Sequence, residues 1–165
     1  MRTLSTILFT CVLSLFLVST VHAQWYQQNS GTAANLNSIH FEDANNGWAV
    51  GDSGIILRTT NAGQDWITQT SGTGYNLTDV CFADLITGWA VGDGGTILRT
   101  TNGGINWTTQ TSETTNGLRD ISFTVVNNGT AVGYNGTILR TTNGGTTWIT
   151  QTSGTGYNLT DVCFA

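Results

Sequence analysis

Three arginines, Arg58, Arg99 and Arg140, stand 41 residues apart along the chain. Guanidinium groups repeated in this way form a set able to grip carboxylates bidentately, and they are the best candidates for a binding surface. The competing expectation is that each arginine lays its stem along its own strand and bonds carbonyls or an acidic neighbour such as Asp52 or Asp93. Catalysis is poorly supported. The two glutamates, Glu42 and Glu113, lie in loop contexts without an evident partner. A catalytic centre also draws different residues from different parts of a fold, whereas these arginines repeat one residue at one position. No catalytic residue, metal or cofactor is therefore expected. Asp79, Asp120 and Asp161 form another series, with Ser38 in the first copy. They suit turn or strand-edge hydrogen bonds, and no short loop gathers the several oxygen ligands that calcium requires. His40, Cys81, Ser122 and Cys163 share one slot and read as a rim histidine and two buried free thiols; no His/Cys cluster suits zinc. Trp48 and Trp89, with Thr130 in the third copy, read as packing between repeats, with a sugar-stacking platform as the alternative.

The elements that must carry these residues repeat with them. Trp25, Trp66, Trp107 and Trp148 keep the same spacing, as do Gly51, Gly92 and Gly133, and Asn61, Asn102 and Asn143. A strict period of about 40–45 residues made of short strand-like runs is the signature of a β-propeller blade. In the second copy, residues 77–82 alternate as an inner strand and residues 88–92 form an apolar run bounded by glycines. A turn at Asp93-Gly94-Gly95 follows, then a β-branched strand over 96–100, a second turn at 101–104, and an outer strand over 107–111. The blades are thus expected at about 36–70, 77–111 and 118–152. An outer strand at 25–29 has no blade before it, and a fourth blade begins at 159–165. The expected class is all-β: four-stranded antiparallel blades in an incomplete arc of three, with orphan strands at its ends. Residues 66–83 recur unchanged as 148–165, a sign of recent duplication. Because closed propellers take about four or more blades, the sequence reads as the N-terminal fragment of a longer protein.

The first 23 residues read differently. Arg2 supplies a positive start, an apolar stretch runs from Ile7 to Val18, and Val21-His22-Ala23 offers an A-x-A-like cleavage site. The expectation is a signal peptide cleaved after Ala23, and export to a periplasmic, cell-surface or extracellular location. The remainder has no further apolar span, no lysine and no proline. Its four arginines against ten acidic residues exclude nucleic acid and anionic lipid as partners drawn by the overall field.

The turn motif carries a resemblance. Thr59-Thr-Asn61-Ala-Gly63-Gln-Asp-Trp66, Thr100-Thr-Asn102-Gly-Gly104-Ile-Asn-Trp107 and Thr141-Thr-Asn143-Gly-Gly145-Thr-Thr-Trp148 resemble the Asp-box, or BNR repeat, with Asn in place of the family's Asp. The Asn side chain is expected to bond N–H groups two residues on, Gly to take the left-handed conformation, and Trp to pack across the hairpin. The longer string G-W-A-V-G-D-x-G-x-I-L-R-T-T-N-x-G-x-x-W is similar to the photosystem II assembly and stability factor family, the YCF/HCF-type propellers. That resemblance implies an exported, non-catalytic, chaperone-like module that binds another protein, with arginines on one face meeting the partner. Asp-box repeats also occur in sialidases and xyloglucanases, which makes a glycan-binding or glycan-hydrolysing propeller the alternative.

Overall fold

The computed structural model describes residues 26–164. The expected signal peptide, its cleavage point after Ala23, and Trp25 lie outside the described residues. Twelve strands form three four-stranded antiparallel sheets, each in sequence order. The first blade holds β1 (Leu36–Phe41), β2 (Gly47–Gly51), β3 (Ile56–Thr59) and β4 (Ile67–Gln69). The second holds β5 (Leu77–Phe82), β6 (Gly88–Gly92), β7 (Ile97–Thr100) and β8 (Thr108–Gln110). The third holds β9 (Leu118–Val125), β10 (Asn128–Gly133), β11 (Ile138–Thr141) and β12 (Ile149–Gln151). Among the described residues there is no α-helix, and none long and apolar enough to cross a membrane. The molecule is an all-β, incomplete β-propeller.

Local chemistry sets the strand ends. Each third strand starts one residue later than its β-branched run suggests, because that first residue closes the preceding turn. The N–H groups of Ile55, Thr96 and Thr137 donate to the carbonyls of Asp52, Asp93 and Tyr134. In the second blade Asp84 Oδ1 accepts the N–H groups of Ile86 and Thr87, folding the link between β5 and β6 into a compact loop. Asp43 does the same for Asn45 and Asn46, and these bonds hold its carboxyl below the ordinary carboxylate range. Val125 takes this place in the third copy. Without an aspartate to curl the chain, β9 and β10 run on into a tight hairpin. Glycine is obligatory at Gly92, where the backbone is extended but lies so close to the Asn76 carbonyl that a Cβ would collide with it.

The cores lie between blades rather than within them. Alternation along β2 and β3 sends Trp48, Val50 and Ile56 forward against Leu77, Val80, Phe82 and Trp107 of the next blade. The same pattern sets Trp89, Val91 and Ile97 against Leu118, Ile121, Leu139 and Trp148. In the first blade the equivalents Leu36, Ile39 and Phe41 are exposed.

Among the described residues the two expected orphan strands, at 25–29 and at the start of a fourth blade over 159–165, are not assigned as strands. The second still follows the blade-to-blade path: Leu159 N–H donates to Gly133 O at 2.9 Å, and Val162 N–H donates to Asp120.

Candidate functional site

Each Asp-box turn is organised by its buried threonine. Thr59, Thr100 and Thr141 are each 1 % exposed. Thr100 Oγ1 accepts the N–H of Asn102 at 3.3 Å and of Gly104 at 2.9 Å, and donates to Asn102 Oδ1 at 3.0 Å. Thr59 and Thr141 repeat this pattern. The asparagine reaches further than the sequence suggests. Asn61, Asn102 and Asn143 accept the N–H groups of Asp65, Asn106 and Thr147, four residues on rather than two. Two successive left-handed residues explain this: Ala62 and Gly63 have φ of 60° and 83°, and Gly103 and Gly104 have 70° and 89°. They turn the Gly63 and Gly104 N–H groups inward to the threonine and leave the asparagine facing the end of the loop. Trp66, Trp107 and Trp148 close the turns edge-on to Phe41, Phe82 and Phe123.

These turns also fasten one blade to the next. Trp48 is fully buried, lies face to face with Phe82 at 3.6 Å between ring centres, and donates its indole N–H to Gly103 O at 3.0 Å. Trp89 does the same with Phe123, at 3.5 Å, and with Gly144 O, at 3.0 Å. Packing between repeats is thus their observed role, and burial leaves neither ring free to stack on a sugar.

The arginines border these seams. Arg58 and Arg99 lie opposite Trp48 and Trp89 in the β-ladder, and Arg140 lies opposite Thr130. Arg58 holds its guanidinium 5.7 Å from the Trp48 ring centre. Both Arg58 and Arg99 bury Nε without a hydrogen-bond partner. Their terminal nitrogens lie close beside Gly103 and Gly144 of the next blade. Neither reaches an aspartate: Asp52 accepts from Asn35 and Asn37, and Asp93 from Asn76. Arg140 is exposed and lines an open hollow with Thr130. The three arginines therefore occupy equivalent places in three blades, with unsatisfied donor capacity, rather than converging in one pocket.

A second series joins the inner strands. Ser38 Oγ donates to Asp79 Oδ1 at 2.6 Å, and Asp79 Oδ2 accepts the Ile121 N–H at 3.0 Å; Asp120 in turn accepts the Val162 N–H. Thr78 and Asn37 add bonds across blades to the carbonyls of Leu118 and Leu77. Burial, then contact with the Asp79 carboxyl, raises Asp120 above the ordinary carboxylate range, while Asp120 raises Asp161. A carboxyl raised on folding favours the folded protein while protonated. That contribution is complete below the ordinary value, about pH 4, and is lost as pH rises through the raised one. Asp120→Asn keeps an acceptor for Val162 and removes the charge. Its thermal midpoint is expected to exceed that of the parent at pH 7 and to converge with it towards pH 4. A lower midpoint at pH 7 would show that the carboxylate's pull on the Val162 N–H outweighs the repulsion.

The cysteines split. Cys81 is half-buried and Cys163 exposed, both free, so only one fits the expected buried pair. Burial pushes the Cys81 thiol up to about 11, leaving it a poor nucleophile. His40 sits at the rim, 3.2 Å from Glu42 and stacked on Phe82. Among the described residues no group of three or more His, Cys, Asp or Glu gathers to hold a metal.

Comparison with known proteins adds context to this geometry. The family model for the photosynthesis system II assembly factor YCF48 matches residues 17–111. A solved structure of YCF48 bound to D1 peptide is 27 % identical with a TM-score of 0.66, covering 72 % of this chain and 40 % of that one. YCF48 from Cyanidioschyzon merolae is 27 % identical with a TM-score of 0.70, over 81 % of this chain and 44 % of that one. The chain thus spans less than half the length of these structures. An ancestral GH74 enzyme shares the fold, with a TM-score of 0.67 at 20 % identity over 87 % of this chain and 22 % of that one. A search of curated proteins finds no match.

Proposed function

The chain belongs to the photosystem II assembly factor YCF48 family, and from that premise we propose that it is an exported, non-catalytic module that binds a segment of another protein through carboxylates. The observation that carries this reading is the repeated arginine at equivalent places in three blades: Arg58 and Arg99 bring their terminal nitrogens beside Gly103 and Gly144 at the seams, and Arg140 is exposed. A carboxylate of an extended polypeptide meets these terminal nitrogens, and a two-nitrogen grip suits it. A YCF48 structure described as bound to D1 peptide makes a peptide partner chemically apt for this fold. The Trp48 ring, 5.7 Å from the Arg58 guanidinium, gives that side chain a packing partner, which limits the entropy lost on binding. The repeat favours this reading over glycan hydrolysis, because the arginines recur at one position in each blade instead of gathering with different residues in one pocket. Export through a signal peptide cleaved after Ala23 belongs to the same proposal, and N-terminal sequencing of the mature protein tests it.

The binding test is the triple variant Arg58→Gln/Arg99→Gln/Arg140→Gln against a fluorescent acidic peptide with a free C-terminal carboxylate. Charge-assisted bonds of the usual strength predict at least about a tenfold weaker Kd with the fold retained. Unchanged affinity would overturn the reading. Loss of cooperative unfolding in the variant would assign the arginines to structure instead.

A further inference from the structure

The rim opposite the Asp-box turns holds a hollow of about 390 Å³ that draws its lining from all three blades. The Asp-box turns join third strands to fourth ones, whereas this hollow borders the turns between second and third strands. Antiparallel order therefore puts the two at opposite ends of the blades. Three slots of the repeat supply this rim. The first reads Asn35, Asn76 and Gly117, the second Asn37, Thr78 and Arg119, and the third Asp52, Asp93 and Tyr134. In the first copy both asparagines donate to Asp52, at 2.8 and 3.1 Å; in the second Asn76 donates to Asp93 Oδ2 at 3.1 Å. The third copy changes all three slots together. Arg119 holds its guanidinium 5.7 Å from the Tyr134 ring centre, with Nη1 3.5 Å from the phenol oxygen. Gly117 keeps space for that ring, where a Cβ would come within 2.9 Å of it. The exchange has a second consequence. Asn76 and Asn158 give their amide oxygens to the Ser53 and Asn135 N–H groups, while Gly117 has none to give to the equivalent Gly94.

We propose that this hollow binds one pyranose ring of a neutral saccharide. The lining carries the choice. Every side chain around the space is polar or charged, so an apolar ligand would strip water from it without replacing the lost hydrogen bonds. Asp52 and Asp93 bring negative charge and Arg119 positive charge, and among the described residues the guanidinium forms no ion pair. A ligand of a single sign therefore meets attraction from one blade and repulsion from another. Hydroxyls suit both, since each can donate to a carboxylate and accept from a guanidinium. Asn76 occupies Asp93 Oδ2, which leaves Oδ1 to accept one sugar hydroxyl while a neighbouring hydroxyl accepts from Arg119. Both are charge-assisted bonds. The amides of Asn35, Asn37 and Asn76 hold the two carboxylates in place before a ligand arrives, which lowers the cost of ordering the site. The volume lies within the usual range of ligand cavities, about 300–1,000 Å³. The blades that frame the hollow are joined by the two filled seams, those of Trp48 and Trp89. The site stands apart from the arginine face and does not depend on it.

Saturation-transfer NMR on the full chain tests the site, with the methyl glycosides of glucose, galactose, mannose, xylose and N-acetylglucosamine as probes. At least one is expected to bind. Arg119→Gln and Asp93→Asn are each expected to weaken that binding about tenfold, the worth of one charge-assisted bond. The triple variant Gly117→Asn/Arg119→Thr/Tyr134→Asp gives the third copy the residues of the second. It is expected to keep the parent's thermal midpoint and lose the signal. Arg119→Gln alone serves if that variant misfolds, because Arg119 is exposed and its side chain touches Tyr134 only. The variant Arg58→Gln/Arg99→Gln/Arg140→Gln, changed at the other end of the blades, is expected to bind the glycoside as the parent does. Absence of binding by every glycoside, or binding that the hollow variants retain in full, would overturn the site. Tighter binding of glycine than of any glycoside would overturn the saccharide and assign the hollow to a zwitterion.

Discussion

Trp89→Ala is expected to destabilise the protein by about 3–5 kcal/mol, the usual cost of removing a large buried aromatic, measured by urea unfolding of the whole chain. Trp89 is fully buried, stacks on Phe123 at 3.5 Å, and bonds the Gly144 carbonyl, so three terms fail together: apolar area, ring contact and a hydrogen bond between blades. Against a typical total stability of about 5–15 kcal/mol, this loss is enough to uncouple the second and third blades. A graded series separates the terms. Trp89→Phe keeps most of the apolar area but leaves the Gly144 carbonyl without its donor, a cost of about 1 kcal/mol for the hydrogen bond alone. Trp89→Thr reproduces the sequence of the third seam and is expected to fall near the alanine variant. A loss below about 1 kcal/mol for Trp89→Ala would show that the blades are held by the inner strands alone.

The period made the architecture legible because each blade repeats the same residues for the same structural reason. Gly88-Trp89-Ala90-Val91-Gly92 reads as a strand from its glycine boundaries, and it is one. The sequence is silent about what lies on the far side of each residue. Nothing in the string reveals that Asp79 reaches the Ile121 N–H of the next blade rather than its own turn, because the step of 41 fixes a slot and not a neighbour. The role of Thr100 was similarly hidden: the motif draws the eye to Asn102, while the bonds that shape the loop converge on the hydroxyl before it. Equivalent position likewise concealed unequal environment. Arg58, Arg99 and Arg140 look alike as sequence, yet the first two rest beside buried tryptophans and the third faces a hollow. In a repeat protein, constancy reports structural need: Trp48 and Trp89 recur because each closes a seam by stacking and by a hydrogen bond to the next blade.

Thr100→Val is expected to cost about 2–3 kcal/mol, although it conserves volume and β-propensity. The hydroxyl is 1 % exposed and serves three hydrogen bonds: it accepts from Asn102 N–H and Gly104 N–H and donates to Asn102 Oδ1. Valine leaves both N–H groups without an acceptor, the Gly104 N–H in a buried setting, and each such loss typically costs about 1–3 kcal/mol. The two costs do not add in full, since the exposed end of the loop can relax. The turn can relax only at a further price, because Gly103 presents its carbonyl to the Trp48 indole across the seam. A loosened turn therefore weakens a contact with a different blade. Thr100→Ser restores the oxygen and is expected to recover most of the loss, whereas an isolated defect in side-chain packing would leave serine as poor as valine. Amide hydrogen exchange supplies the second reading: the Gly104 N–H is expected to lose protection in the valine variant, together with the indole N–H of Trp48. Loss of protection at Gly104 with Trp48 unaffected would show that the turn and the seam are independent.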